Sequence, residues 1–126
     1  MSDKITLKIW NREFHLDVIY ECYAEENVTS LQIETFNYLN KDNNFISNTL
    51  ENVKEYCVDN YGSAITLSDL SNIFKYVVPK SIFIKRDDQN HVFAIMCHFK
   101  LDMEHGLALV FRENKLIEIG EENIIL

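Results

Sequence analysis

The sequence predicts an α+β fold: an antiparallel β-sheet made of an N-terminal hairpin and a C-terminal meander, with about three helices inserted between them and packed on one face. Three observations lead there. Residues 4–22 alternate apolar and polar side chains with a period of two, as half-buried strands do. Residues 30–77 carry apolar side chains three and four apart, the spacing of amphipathic helices. Residues 82–126 return to short apolar runs divided by polar turns. Strands at both ends with helices between them argue against alternating βαβ units. The chain's 126 residues read as a single α+β domain, 1–126, and a hydrophobic content of 47% supplies its core.

Each element follows from its own pattern. Ile5, Leu7 and Ile9 alternate with Lys4, Thr6 and Lys8 in a first strand, and Asn11-Arg12 is read as the turn. Phe14, Leu16, Val18, Tyr20 and Cys22 alternate with His15, Asp17, Ile19 and Glu21 in a second strand with one wet face. Thr29 or Ser30 caps a helix over Leu31–Leu39, with Glu34 suited to the positive end of its dipole, and Asn40–Asn44 breaks it. From Phe45 to Tyr61 a second helix stacks Ile46, Leu50, Val53 and Cys57 on one face, and Gly62 stops it. A third, shorter helix starts at Ser68, points Leu70, Ile73, Phe74 and Val77 inward, and ends before Pro79.

The meander follows. Ile82–Ile84 is a strand, Asp87–Asn90 a turn, and His91–Phe99 a longer strand apolar on both faces, which calls for a cover on each side of the sheet. Leu107–Phe111 and Leu116–Ile119 form the last hairpin through Glu113-Asn114, and Ile124-Ile125-Leu126 closes the chain as a strand-like tail.

Charge narrows the function. Twelve basic residues against twenty acidic give a net charge of −8. That balance argues against nucleic-acid binding, which needs Lys and Arg to displace counterions from phosphates, and against an anionic membrane surface. It suits either plain solubility or docking to something basic. Met1–Ile5 opens without the apolar stretch of a signal peptide, and no apolar run approaches the roughly 18–20 residues of a membrane span, so the cytoplasm is the expected location. Cys22, Cys57 and Cys97 lie far apart in apolar or alternating segments and are expected as reduced core thiols.

Few groups point to chemistry. Cys97, His98, Asp102, Glu104 and His105 lie close in sequence, but Cys97 and His98 are neighbours on a strand and point to opposite faces, so no metal site is expected. Asp102-Met103-Glu104-His105-Gly106 sets an acid near an imidazole, as acid–base chemistry requires. It lacks a nucleophile, and reads equally as a polar turn in which Gly106 supplies an unusual backbone angle. There is no glycine-rich phosphate loop, and three glycines are few for cradling a nucleotide, so no cofactor and no enzymatic activity are expected. The clearest candidate surface is on the second helix, where Glu51, Glu55 and Asp59 recur every fourth residue on one stripe. Such like charges repel by a few tenths of a kcal/mol per pair. The stripe is either a solvated face or a surface that steers a basic partner.

The run Glu104-His105-Gly106 with an apolar strand, then Asn114–Gly120, then Asn123–Leu126, resembles the C-terminal signature of an uncharacterised family of small bacterial domains of unknown function. The resemblance implies a cytoplasmic bacterial α+β domain and brings no catalytic residues. Some small acidic proteins of this kind are similar to immunity partners of polymorphic toxins. Two functions follow as expectations. One is a non-enzymatic binding protein, an immunity-type inhibitor docking a basic protein such as a toxin through Glu51, Glu55 and Asp59, with Asp102, Glu104 and His105 as further contact residues. The other is a small-molecule-binding or enzymatic domain using the Asp102/Glu104/His105 turn. The apolar tail also leaves a homodimer through a strand edge open.

Overall fold

The computed structural model describes residues 3–126; Met1 and Ser2, part of the leaderless opening expected above, lie outside the described residues. A single six-stranded sheet runs in chain order: β1 (Asp3–Ile9), β2 (Arg12–Tyr20), β3 (Val77–Ile84), β4 (Val92–Phe99), β5 (Leu107–Arg112) and β6 (Lys115–Gly120). Helices α1 (Ser30–Lys41) and α2 (Leu50–Tyr61) are inserted between β2 and β3. The fold class is therefore α+β, with two α-helices where about three were expected.

Every neighbouring pair is antiparallel except β2 and β3, which run parallel from Asp17↔Ser81 to Tyr20↔Ile84. The expected all-antiparallel sheet is corrected at this one junction. Parallel neighbours need a long crossover, and the helical insertion is that crossover.

The expected helix from Ser68 is instead two short 3₁₀ turns, Asp69–Ser71 and Ile73–Lys75. Asn72, at φ −110° and ψ 86°, separates them, and Val77 already belongs to β3. Leu70, Ile73 and Val77 are nonetheless buried, so the inward residues were legible although the element was not. Pro79 sits inside β3 at a bulge, ahead of the first β2 partner at Ser81, where its missing N–H breaks no parallel pair. The second expected helix also divides: Asn44–Thr49 is 3₁₀ and only then does α2 begin. Gly62 ends α2 at φ −63°, so it acts through close approach to the Val58 carbonyl and not through a left-handed cap.

Both hairpins turn on two residues with positive φ, as tight hairpins with right-handed twist require. They are Trp10 (49°) and Asn11 (69°), one residue earlier than the Asn11-Arg12 turn expected, and Glu113 (49°) and Asn114 (65°). A tryptophan accepts this conformation because its indole is buried and its Nε1–H donates to Thr49 Oγ1 at 3.1 Å. Thr29 is the cap of α1: its Oγ1 accepts from Gln32 N at 3.1 Å while Gln32 Oε1 accepts from Thr29 N at 2.9 Å.

The main core lies on the helical side of the sheet, where Leu39, Ile46, Val53 and Cys57 meet Ile5, Leu7, Val18, Ile82, Ile95 and Leu109. The opposite face carries a second, smaller cluster of Val92, Ala94, Ala108, Val110 and Ile125. Its cover is the tail, which is a 3₁₀ turn over Glu122–Ile125 and not the strand expected. The two apolar faces of β4 thus each have their cover. Cys57 and Cys97 are buried, but Cys22 lies beyond the end of β2 and is exposed, against the expectation of three core thiols.

Candidate functional site

Helix α2 exists because Leu50, Val53 and Cys57 fall on one side and pack into the core, with Val53 and Cys57 fully buried. Burial pushes the Cys57 thiol up to about 11, so it stays protonated. The same periodicity turns Glu51, Glu55 and Asp59 outward, and all three are exposed along one stripe. None of the three forms an ion pair among the described residues. Their effects on the helix differ. Glu51 lies in the first turn, where a carboxylate suits the dipole; Asp59 lies in the last, which has no basic residue to balance it.

Beside this stripe α2 faces β6 across an open groove of about 340 Å³. Asn52, Glu55, Tyr56, Asp59 and Asn60 form one wall and Leu116–Ile119 the other. Glu118 adds a third carboxylate. The groove was not visible in the sequence, because it depends on which strand the helix lies against; the one signal was the exposed Glu118 interrupting an apolar run.

Asp102, Glu104 and His105 occupy the turn between β4 and β5. Gly106, at φ +65°, lets the turn close, and the Glu122 side chain fills the space a Cβ would need. The turn is held by Gly106 N donating to Asp102 O at 3.0 Å and His105 N to Asp102 Oδ1 at 3.2 Å. His105 Nδ1 lies 3.0 Å from both Asp102 carboxylate oxygens. That hydrogen bond, then the charges of Asp102, Glu121 and Glu104, hold the imidazole above its ordinary value. Glu104 is exposed and contributes charge alone.

The structure adds Glu121 to this pair. One ligand atom each from Asp102, His105 and Glu121 lie within 4.8 Å of one another, close enough to share a divalent cation. Sequence reading missed the third member, because Glu121 comes to the turn only through the placement of the 3₁₀ tail, where a strand is expected. Cys97 and His98 fall on opposite faces of β4: the thiol is fully buried and the imidazole is exposed.

Burial, then the neighbouring Tyr61 and the charge of Glu121, raises the Tyr56 hydroxyl on α2; burial and then Asp102 and Glu121 do the same for Tyr61. The groove beside α2 is lined by none of Asp102, Glu104 and His105. No helix among the described residues is long and apolar enough to cross a membrane.

No curated protein and no solved structure matches the chain. One family model does match, over residues 1–126, and the chain belongs to the family described as Domain of unknown function (DUF6985).

Proposed function

We propose that this chain is a non-enzymatic binding protein, cytoplasmic and of the immunity type, that docks a basic protein such as a toxin through the acidic face of α2. The observation that carries this reading is the row of Glu51, Glu55 and Asp59, exposed and without an ion-pair partner among the described residues, on a helix that their repulsion weakens and that Lys54 beside them relieves only in part. At Glu55 and Asp59, beyond the first turn, such charge does nothing for the helix, and the whole row steers a partner of opposite charge.

Affinity capture from the native cytoplasm at low salt, eluted with rising salt, tests it when run beside the triple variant Glu51→Gln, Glu55→Gln, Asp59→Asn. The expected result is one basic protein released by salt and lost with the variant, with association slowed roughly tenfold at low ionic strength. An unchanged on-rate removes this face from the reading.

A second reading places a ligand at the turn, favoured by the convergence of Asp102, His105 and Glu121. Titration with zinc should then raise the unfolding temperature of the protein and leave His105→Ala unmoved. Equal responses from the two proteins, or none, reject it.

A further inference from the structure

The sheet has two edges, and they are defended differently. At β1 the outward residues include Lys4 and Lys8, charges of the kind that discourage an added strand, and the 3₁₀ segment Asn44–Thr49 lies against this strand. At β6 the outer side opens into the groove shared with α2. Among the described residues, no backbone hydrogen bond outside the sheet ladder involves residues 115–120. A strand paired on one side only leaves alternate N–H and C=O groups pointing outward. The groove therefore offers a row of backbone donors and acceptors on one wall and a carboxylate row on the other.

We infer that the groove between α2 and β6 takes a short extended segment of a partner, basic at alternate positions, which adds to β6 as a further strand. The inference rests on the reading of α2 as the docking face and deepens it by naming what docks and how. The dimensions fit. The helical wall spans two turns, Asn52 to Asn60, or about 12 Å; the strand wall, Leu116 to Ile119, spans roughly 10 Å. Alternate side chains of an extended segment recur about every 6.8 Å, close to the roughly 6 Å rise between Glu55 and Asp59. Two basic side chains on that face can meet both carboxylates. The residue between them points to the other face, toward the Glu118 side. The groove lining contains no Lys, Arg or His to repel them.

Selectivity has a physical source as well. The β5–β6 register shifts between Val110 and Phe111, leaving Ile117 as the extra residue of a bulge. A bulge bends an edge and shortens the stretch that an incoming strand can pair. That disfavours indiscriminate edge-to-edge pairing with a second copy of this chain, and it limits the guest to a few residues.

The test uses the intact protein and a fluorescein-labelled Lys-Val-Lys-Val-Lys-Val peptide at low salt. A Glu-Val repeat and the same Lys-Val peptide with alternate amides N-methylated serve as comparisons. Anisotropy gives affinity, and amide hydrogen exchange gives the place. The expected result is binding of the Lys-Val peptide alone, with slowed exchange confined to residues 115–120. N-methylation and the double variant Glu55→Gln, Asp59→Asn should each weaken it roughly tenfold, the cost of losing one or two good hydrogen bonds or charge contacts.

If the N-methylated peptide binds equally and β6 exchange is unmoved, strand addition is overturned while the acidic docking face stands. Binding of neither basic peptide overturns the groove as a peptide site and leaves α2 to be judged by its partner's on-rate. Slowed β6 exchange without peptide, lost on dilution together with a dimer, assigns the edge to a second copy and overturns the inference.

Discussion

At the corner where β3 leads into β4, nearly every charge has a partner. Arg86 donates to Glu26 at 2.9 Å and to Asp88 at 2.6 Å, its backbone N–H donates to Glu21, and its guanidinium lies 4.6 Å from the Tyr23 ring. His91 sits between Glu113 and Glu34, at 2.8 and 3.0 Å. On α2 the carboxylates of Glu51, Glu55 and Asp59 face solvent and form no ion pair among the described residues. The first arrangement ties the ends of β2, α1, β3 and β5 to one another; the second ties α2 to nothing. Charge that serves the fold is paired within the chain, and charge left over is available to another molecule.

The largest way to break this contrast is at Gln32, the buried centre of the paired corner. Its amide donates to Glu21 O at 2.7 Å and to Ile84 O at 3.1 Å while closing the cap of α1. Gln32→Ala leaves the Glu21 carbonyl without its partner, while Ile84 O keeps the Glu21 N–H, and opens the α1 capping box; it should lower stability by about 2 kcal/mol in urea unfolding. A loss under about 0.5 kcal/mol would mean that water replaces the amide easily and that the corner is not the clamp described.

His91 gives the next effect, through pH. Burial opposes its protonation, but the hydrogen bonds and charges of Glu113 and Glu34 outweigh that and hold the imidazole above its ordinary 6.5. Its stabilisation is therefore complete below that value and lost as pH rises through the raised one. Glu113 is held low by hydrogen bonds from the His91 backbone and ring, so its share is present above the ordinary carboxyl value and lost as pH falls through the lowered one. Both glutamates are half exposed, so screening leaves about 0.5–1 kcal/mol. His91→Gln should cost most just below the ordinary 6.5 and progressively less as pH rises through the raised value. A pH-independent cost would assign His91 to packing against Tyr38, 5.1 Å away.

The smallest effect has the opposite sign. Glu55→Gln, Asp59→Asn removes both repelling pairs, Glu51–Glu55 and Glu55–Asp59, and the charge that opposes the α2 dipole, and should raise stability by about 0.3–0.6 kcal/mol. A decrease in thermal midpoint would show that these carboxylates support the fold after all, and the comparison would fail.

Much of the architecture was legible because it rests on local period. The alternation of Ile5, Leu7 and Ile9 and the spacing of Leu50, Val53 and Cys57 each name an element and its buried face. The third helix was not, because inward spacing at Leu70, Ile73 and Val77 is shared by helical and 3₁₀ turns, and Asn72 decides between them locally. The direction of β3 depends on where the crossover delivers the chain, which no local pattern encodes. The acidic stripe needed only α2, so the sequence contained it. The α2–β6 groove and the approach of Glu121 to His105 needed tertiary placement, so it did not.

The single parallel junction also bears on the order of assembly. Strands β3 to β6 are joined by short turns and need no distant segment to pair, whereas β1–β2 must be brought to β3 across residues 21–76. Closing that span costs chain entropy before any contact repays it. Pulse-labelled hydrogen exchange during refolding should protect Ile95 and Leu109 before Val18 and Ile82 pair; simultaneous protection would rule this out. Until the N-terminal hairpin arrives, the meander carries β3 as a strongly apolar border paired on one side alone, so the hairpin's docking exchanges that border for the lysine-bearing edge of β1.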